Sequence, residues 1–344
     1  MKIVGCDFHP SFQQIAVLNT ETGEIEERRL GNRDGEAEAY YRQLEAPALI
    51  GMEAVGNSLW FEQLVARLGH ELWIGDAAQI RASYVRRQKT DRRDAGHILR
   101  LLVEKRFPRI WVPSDAERDR RQLLLHRHKL VQIRTRIKTE LQHLALNQGM
   151  QKKRQLWGVR GRADFKNLSL EGWTARRRED LLAVLSLVEG QVEKLDDAVE
   201  EIAARDQQAR LLMTQPGVGP VTSLAFVLTI GDVRRFQRGK QVASYLGLIP
   251  SEHSSGSKRR LGSISKQGNV FLRTLLVEAA QSACRHDEEF RREYRHRCHH
   301  KPTGVAKVAA ARKLAVKLYW MLRTQTPYRP AVHIEGSPRH PVVG

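Results

Sequence analysis

Two aspartates three positions apart, in the segment Lys89-Thr-Asp-Arg-Arg-Asp-Ala95, are the first residues of this sequence whose spacing suggests a chemistry. An apolar pattern without a helix breaker follows them, so both are predicted to lie on a helix, where residues i and i+3 share a face. Carboxylates that close repel each other, and a divalent cation such as Mg²⁺, which prefers hard oxygen ligands, relieves that repulsion. The alternative is that Asp91 caps the helix and Asp94 lies in its favourable first turn.

Two further acids end predicted strands. Asp7 closes the apolar run that begins at Lys2, and Glu53 closes the run that begins at Ala48. In open α/β sheets, catalytic groups collect at strand ends. If the two strands are neighbours, Asp7, Glu53, Asp91 and Asp94 converge, and we call these four residues the carboxylate cluster. Such a set could hold two divalent cations, as in enzymes of phosphoryl transfer, although each acid taken singly could be an ordinary polar strand end.

The elements that must position these acids follow from the apolar pattern. Three strands with tight turns, over residues 2–7, 14–18 and 25–30, predict an antiparallel meander. Helices at 35–44 and 59–68 then alternate with strands at 48–53 and 71–74. This alternation predicts parallel pairing and a mixed α/β sheet covered by helices on both faces.

The middle of the chain is predicted to consist of long helices. Ser114-Asp-Ala-Glu117 has the form of a capping box and opens a long helix, and a second long helix begins after Trp173. Residues 151–172 are predicted to be a hairpin tip or a loop. The two helices are predicted to form an antiparallel coiled-coil hairpin, whose seams are Leu123, Leu130, Ile133, Ile137, Leu141 and Leu144, and Leu185, Val188, Val192, Leu195, Val199 and Ile202. A plain hairpin within one subunit is the alternative; we favour a dimer contact because the seam is long.

The last region is mostly helical and carries two candidate phosphate-binding segments. Gly217 and Gly219, in Gln215-Pro-Gly-Val-Gly-Pro220, could let the backbone approach a phosphate, as in a helix-hairpin-helix element. Residues 247–266 are predicted to be a flexible, hydroxyl-rich loop in which a serine beside cations could attack or bind a phosphate. Composition alone favours binding without covalent chemistry. A basic amphipathic helix at 305–323 and a loose tail after Thr326 complete the prediction.

The charge balance indicates the partner. Lys and Arg number 58 against 39 Asp and Glu, a formal net charge of +19, which is typical of nucleic-acid binding. The candidate phosphate contacts are Arg86, Arg87, Lys89, Arg92, Arg93, Lys258, Arg259, Arg260 and Lys266. The sequence has no apolar run of about 18 residues and no signal peptide, so we expect no membrane association. Three cysteines predict no disulfide framework and a reducing, cytoplasmic location, and the Cys and His residues after Cys284 fit no zinc pattern.

Taken together, these motifs resemble those of the DEDD-type transposases of the insertion sequence 110 family. The resemblance covers nearly the whole chain. It rests on Gly-Cys-Asp7, Gly-Met-Glu53-Ala, Lys-Thr-Asp91-Arg-Arg-Asp94-Ala and the glycine segment at 215–220, and on Tyr-Leu-Gly-Leu-Ile-Pro followed by Ser-Ser-Gly-Ser and Ile-Ser-Lys-Gln-Gly-Asn.

The resemblance implies a RuvC-like, ribonuclease-H-type domain at 1–112, a coiled-coil hairpin at 113–210, a C-terminal transposase domain at 211–326 and a tail at 327–344. It implies Mg²⁺, with Mn²⁺ as a substitute, on the four acids, and a serine that forms a transient ester with DNA. Ser255 matches the family's position, with Ser254 beside it.

The same resemblance implies a non-coding guide RNA that pairs with donor and target DNA. It also implies a homodimer or homotetramer with acids and serine from different subunits, in a bacterial or archaeal cell, associated with the nucleoid. Two alternatives remain open at this point. One is an endonuclease of the Holliday-junction resolvase type, and the other is a nucleic-acid scaffold without catalysis.

Overall fold

A computed structural model describes residues 1–84, 90–151, 155–252 and 260–330. The chain divides into two compact units, Met1–Val112 and Pro113–Gly344. Within the described ranges, none of the helices is both long and apolar enough to cross a bilayer.

The first unit is a five-stranded mixed sheet with helices. In chain order its elements are β1 Lys2–Phe8, β2 Phe12–Asn19, β3 Ile25–Gly31, α1 Glu36–Gln43, β4 Leu49–Glu53, α2 Leu59–Arg67, β5 Glu71–Gly75, α3 Ala77–Ala82 and α4 Asp91–Val103. The strand order is β3-β2-β1-β4-β5. β1 pairs antiparallel with β2 and parallel with β4. The predicted mixed sheet and the adjacency of β1 and β4 are confirmed; α3 was not predicted.

The alternation of side chains along β1 explains why both faces of the sheet are covered. Val4 and Cys6 are buried in a core that also contains Tyr41 of α1 and Phe61 of α2. The intervening residues face the other way, toward α4, which packs on β1, β2 and β4. Because side chains on a strand alternate with a period of two, Asp7 lies on the α4 face together with Gly5.

Gly5 sets the distance between β1 and α4. A Cβ at this position would lie within 3.0 Å of the backbone oxygen of Ala95 and the backbone nitrogen of Leu99. We expect Gly5→Ala to cost about 2–3 kcal/mol, because helix backbone cannot yield as a side chain does. Urea unfolding measures the change in the free energy of unfolding, and hydrogen exchange of the β1 and α4 amides measures it at the contact itself.

The matched control is Gly96→Ala, on α4 itself. Its Cβ would meet nothing within 4 Å, and alanine is favoured over glycine inside a helix by about 0.5–1 kcal/mol. Equal stability of the two variants would contradict the close packing of α4 on β1.

The second unit is almost entirely helical. Its elements are α5 Asp115–Asn147, α6 Val159–Lys166, α7 Gly172–Arg205, α8 Gln207–Met213, α9 Pro220–Ile230, α10 Gly239–Tyr245, β6 Pro250–Glu252, β7 Leu261–Ile264, α11 Val270–His286, α12 Glu288–His300 and α13 Thr303–Thr324. The capping box of Ser114 and Glu117 is present at the start of α5. Residues 151–172 connect the two long helices as a hairpin tip, but the alternative of a plain loop is wrong, because α6 lies there and Leu156 and Phe165 are buried in a local core.

The long helices α5 and α7 pack antiparallel. Two ion pairs show this, because Arg127 of α5 contacts Asp196 of α7, and the later Lys138 of α5 contacts the earlier Glu189 of α7. Most predicted seam residues are buried or half-buried, but Ile133 is 44% exposed. Those nearer the hairpin tip pack between α5 and α7, whereas Leu123, Val199 and Ile202 pack in the core of the C-terminal helices. Ile133 lies three residues after Leu130 and outside the seven-residue pattern of Leu123, Leu130, Ile137 and Leu144, whose members are all buried or half-buried. The seam is satisfied within one chain, so its length does not by itself indicate a dimer.

Candidate functional site

The carboxylate cluster is built from β1, β4 and the first turn of α4. Cys6 and Met52 are the last residues that β1 and β4 pair with each other, and Asp7 and Glu53 come directly after them. Neighbouring strands lie about 4.8 Å apart, so these two residues emerge side by side. The close packing of α4 on β1 brings Asp91 and Asp94 to the same end of the sheet.

The N-terminus of α4 has a cap that the sequence interpretation missed. Thr90 is the N-cap, and its hydroxyl accepts a hydrogen bond from the backbone nitrogen of Arg93 at 3.4 Å. The alternative in which Asp91 caps the helix is therefore wrong. Asp91 occupies the first helical position instead, and its carboxylate is exposed.

Asp7 is a half-buried member of the carboxylate cluster whose environment changes its pKa. Burial raises the pKa of its carboxyl above the usual value, and the nearby charges of Asp94 and Asp91 raise it further. His9 opposes this shift, because its ring nitrogen Nε2 lies 3.1 Å from Oδ2 of Asp7. A half-buried carboxyl surrounded by like charges is typical of a functional site that is completed by a cation.

Asp94 is 5% exposed and accepts a hydrogen bond from the Tyr84 hydroxyl at 2.6 Å. Burial raises the pKa of the Tyr84 phenol, and the hydrogen bond and the charges of Asp94, Asp7 and Glu53 raise it further. Three carboxylates of the cluster therefore act on one phenol, although they are far apart in sequence. Tyr84 holds Asp94 in a fixed orientation, as the outer partners of metal-binding carboxylates do.

Glu53 has a partner of its own. Its Oε1 lies 3.4 Å from Nη2 of Arg81, a largely exposed side chain. An exposed pair of this kind contributes about 0–1 kcal/mol, so it is easily exchanged for a stronger partner.

In the described part of the chain, Asp7, His9 and Asp91 form a group of possible metal-binding residues. One ligand atom from each lies within 4.8 Å of the others. Sequence reasoning missed His9. Its spacing of two from Asp7 was the available signal, because residues i and i+2 of an extended chain point to the same side. The donor set of carboxylate oxygens and one imidazole suits a divalent cation.

The predicted basic contacts are only partly described. Arg92 forms an ion pair with Glu27, and Arg93, Arg260 and Lys266 are exposed. The other predicted contacts, Arg86, Arg87, Lys89, Lys258 and Arg259, lie outside the described residues, as does Ser255 with its neighbour Ser254.

The region around the serines is a β-hairpin at its base. β6 and β7 pair antiparallel on either side of residues 253–259, so the prediction of an unstructured loop is wrong for its ends. Gly247 and Gly268, both with positive φ, let the flanking chain segments touch. The buried Arg273 of α11 donates hydrogen bonds to the carbonyls of Leu246 and Gln267 and so clamps both sides of this base.

The glycine segment before α9 has a packing explanation. Gly217 has φ +86°, and a Cβ there would collide with the backbone of Ala279 and Ala283 on α11. Gly217 is therefore required by contact with a helix, whereas the predicted reason was approach to a phosphate. A Cβ on Gly219 would meet nothing within 4 Å, and this residue is exposed, so no packing contact explains a glycine here.

Comparison with known proteins shows to which family this chain belongs. A family model for DEDD transposases of the IS110 type matches residues 4–149, and the model described as the IS116/IS110/IS902 transposase family matches residues 209–295. A probable family 20 transposase of Pseudomonas aeruginosa is 30% identical over 305 residues, which cover 85% of this chain and 88% of that protein. The chain belongs to the IS110 family of transposases.

Other relatives of this IS110-family transposase extend the comparison. The transposase for insertion sequence element IS1111A of Coxiella burnetii is 28% identical and covers 83% of this chain and 79% of its own length. The pilin gene-inverting protein of Moraxella bovis is 27% identical, with 72% of this chain and 70% of its own covered. The chain is therefore an enzyme that acts on DNA in transposition or recombination, and its DEDD type points to the use of a divalent metal.

Proposed function

We propose that this transposase cleaves and exchanges DNA strands of an insertion sequence, with the carboxylate cluster as its cation site and Ser255 as its nucleophile. The observation that carries the proposal is the meeting of Asp7 with Asp91 at one end of the β1–α4 contact. The charge of Asp94 acts on Asp7, and the charges of Asp94, Asp7 and Glu53 all act on Tyr84. We propose Mg²⁺ as the cation and Mn²⁺ as its substitute, because oxygen donors dominate the cluster.

In the proposed reaction, Oγ of Ser255 attacks a DNA phosphorus. A bond forms between phosphorus and Oγ, the bond between phosphorus and one deoxyribose oxygen breaks, and the serine proton ends on that leaving oxygen. The ester conserves the energy of the broken bond, so a hydroxyl of another strand can reverse the step and join the strands. The cation, when bound, supplies positive charge that stabilises the charge developing on the phosphoryl oxygens.

The residues of the chain have separate roles in this scheme. Asp7, Glu53, Asp91 and Asp94 would hold the cation, and Tyr84 keeps Asp94 oriented. The pair between Arg92 and Glu27 is exposed on the Arg92 side, so a DNA phosphate can compete for that guanidinium at small cost. Arg93, Arg260, Lys266 and the amide of Gly219 are further proposed backbone contacts, together with Arg86, Arg87, Lys89, Lys258 and Arg259.

The finer architecture is part of the same proposal. We propose a RuvC-like catalytic domain over 1–112, a coiled-coil hairpin over 113–210 and a transposase domain over 211–326 that includes a helix-hairpin-helix-like element. The residues after 326 are the proposed tail, and most of them lie outside the described residues. The prediction of a loose tail is wrong at its start, because Tyr328 packs on the helical core and its hydroxyl donates a hydrogen bond to Asp287. A homodimer or homotetramer, bound to DNA and a guide RNA, is the proposed working form.

Purification without nuclease treatment tests the proposal. We expect RNA to accompany the protein and its sequence to contain segments complementary to two DNA sites. Supplied with both DNAs and Mg²⁺, the complex should yield joined products, and a chelator should prevent them. Protein that recombines the two DNAs after complete RNA removal would contradict the guide RNA, and products formed without any divalent cation would contradict the cation site.

A further inference from the structure

His9 is the nearest side chain to the carboxylate cluster that the proposed reaction leaves without a role. Its Nε2 lies 3.1 Å from Oδ2 of Asp7 and 3.7 Å from Oδ1 of Asp91. An octahedral cation with bonds of about 2.1 Å separates neighbouring ligands by roughly 3.0 Å and opposite ligands by roughly 4.2 Å. Both separations from His9 lie between these two values, and the ligand atoms of Asp7 and Asp91 lie within 4.8 Å of each other, so one cation could contact all three side chains after small adjustments.

The imidazole is held in place by contacts that do not involve the acids. Its ring stacks on Phe12, with centroids 4.6 Å apart and planes inclined by 24°. The guanidinium of Arg29 lies over the Phe12 ring at 4.0 Å. The His9 backbone is fixed on both sides, because its nitrogen donates to the Phe12 carbonyl and its carbonyl accepts from the Asn32 side chain. A ligand oriented in this way loses little freedom when it binds a metal.

We propose that His9 is a direct ligand of the cation through Nε2, together with Asp7 and Asp91, and that its nitrogen strengthens the binding of the substitute Mn²⁺ more than it strengthens the binding of Mg²⁺. This inference rests on the proposed cation site and adds to it a ligand outside the four acids. Mg²⁺ is selective for oxygen and keeps its waters, whereas Mn²⁺ is softer and binds imidazole more readily. A hydrogen bond from His9 to the two carboxylates, without ligation, is the competing role.

Pulsed electron paramagnetic resonance of bound Mn²⁺ separates the two roles, because only a directly coordinated nitrogen couples strongly to the electron spin. We use full-length protein without a polyhistidine tag, loaded with one equivalent of Mn²⁺. The wild type should show a nitrogen coupling that changes when histidine is labelled with ¹⁵N and that disappears in His9→Asn. His143→Asn, which replaces an exposed histidine of α5, should retain it.

Binding titrations give a second readout that does not depend on activity. We expect His9→Asn to weaken Mn²⁺ binding about tenfold or more, as loss of a metal-supporting group commonly does, and to change Mg²⁺ binding less than about threefold. Thermal unfolding of each variant without metal verifies that the fold is retained.

The outcomes distinguish this inference from the proposed function. Mn²⁺ that binds the wild type without nitrogen coupling, but binds Asp7→Asn far more weakly, overturns the role of His9 and leaves the carboxylate site intact. Mn²⁺ binding that Asp7→Asn and Asp91→Asn both leave unchanged overturns the cation site and the inference together. Equal weakening of Mn²⁺ and Mg²⁺ binding in His9→Asn overturns the larger contribution of the His9 nitrogen to Mn²⁺ binding.

Discussion

Asp94→Asn is expected to abolish DNA strand cleavage while the protein still folds and binds DNA. The substitution keeps Oδ1, which accepts the hydrogen bond from Tyr84, so the side chain can stay in place. It removes the negative charge that the cation requires. We expect the cleavage rate to fall about a thousandfold, which corresponds to ~4 kcal/mol of lost transition-state stabilisation. Cleavage of end-labelled DNA in Mg²⁺ measures the rate, and fluorescence anisotropy measures DNA binding.

The fold should survive this change because Asp94 is nearly buried, and a neutral amide costs less to bury than a carboxylate. Asp119→Asn is the charge-matched control, since Asp119 is an exposed aspartate of α5. Both variants alter the net charge equally, so any general effect on DNA binding should be the same in both. Cleavage by Asp94→Asn within tenfold of the wild type would remove Asp94 from the proposed cation site.

Ser255→Ala is expected to eliminate both the covalent protein–DNA adduct and strand joining. Without the hydroxyl, no ester can form, and the energy of the cleaved phosphodiester is not conserved for exchange. A denaturing gel of labelled DNA shows the adduct as a protease-sensitive band of low mobility. We expect that band in the wild type at early times and its complete absence in the variant.

The neighbouring serine supplies the matched control. Ser254→Ala changes the same segment by the same atoms and should retain the adduct. An enzyme of the Holliday-junction resolvase type, which uses water as the nucleophile, would continue to cut DNA as Ser255→Ala. Continued cutting in that variant, with no adduct in the wild type, would replace the recombinase mechanism with hydrolysis.

The N-terminal sheet was predictable because its signals are local. Apolar runs bounded by turns marked β1, β2, β3, β4 and β5, and helices between the later strands required parallel pairing. The short α3 was missed because six residues carry too little periodic pattern for recognition. The hairpin ends β6 and β7 were missed for the same reason, since they contain only three and four residues.

For the long helices α5 and α7, local signals were not sufficient. Their seam could be read from the sequence, but the partner of the seam could not. Leu141 of α5 and Val192 of α7 are fully covered within one chain. A hydrophobic stripe specifies that a face is buried, but it does not distinguish burial in the same chain from burial against a second copy.

The sequence by itself determined the family and the four acids, because the family's motifs are short stretches in which residue type and spacing carry the signal. Only the tertiary structure decided which side chains meet Asp7. Gly5 lets the backbone of α4 approach β1, Thr90 caps α4 and frees Asp91, and the turn after β1 stacks His9 on Phe12. The distance between two residues that are remote in sequence depends on how closely their backbones can pack. That packing involves atoms from several distant segments, so no local sequence pattern can specify it.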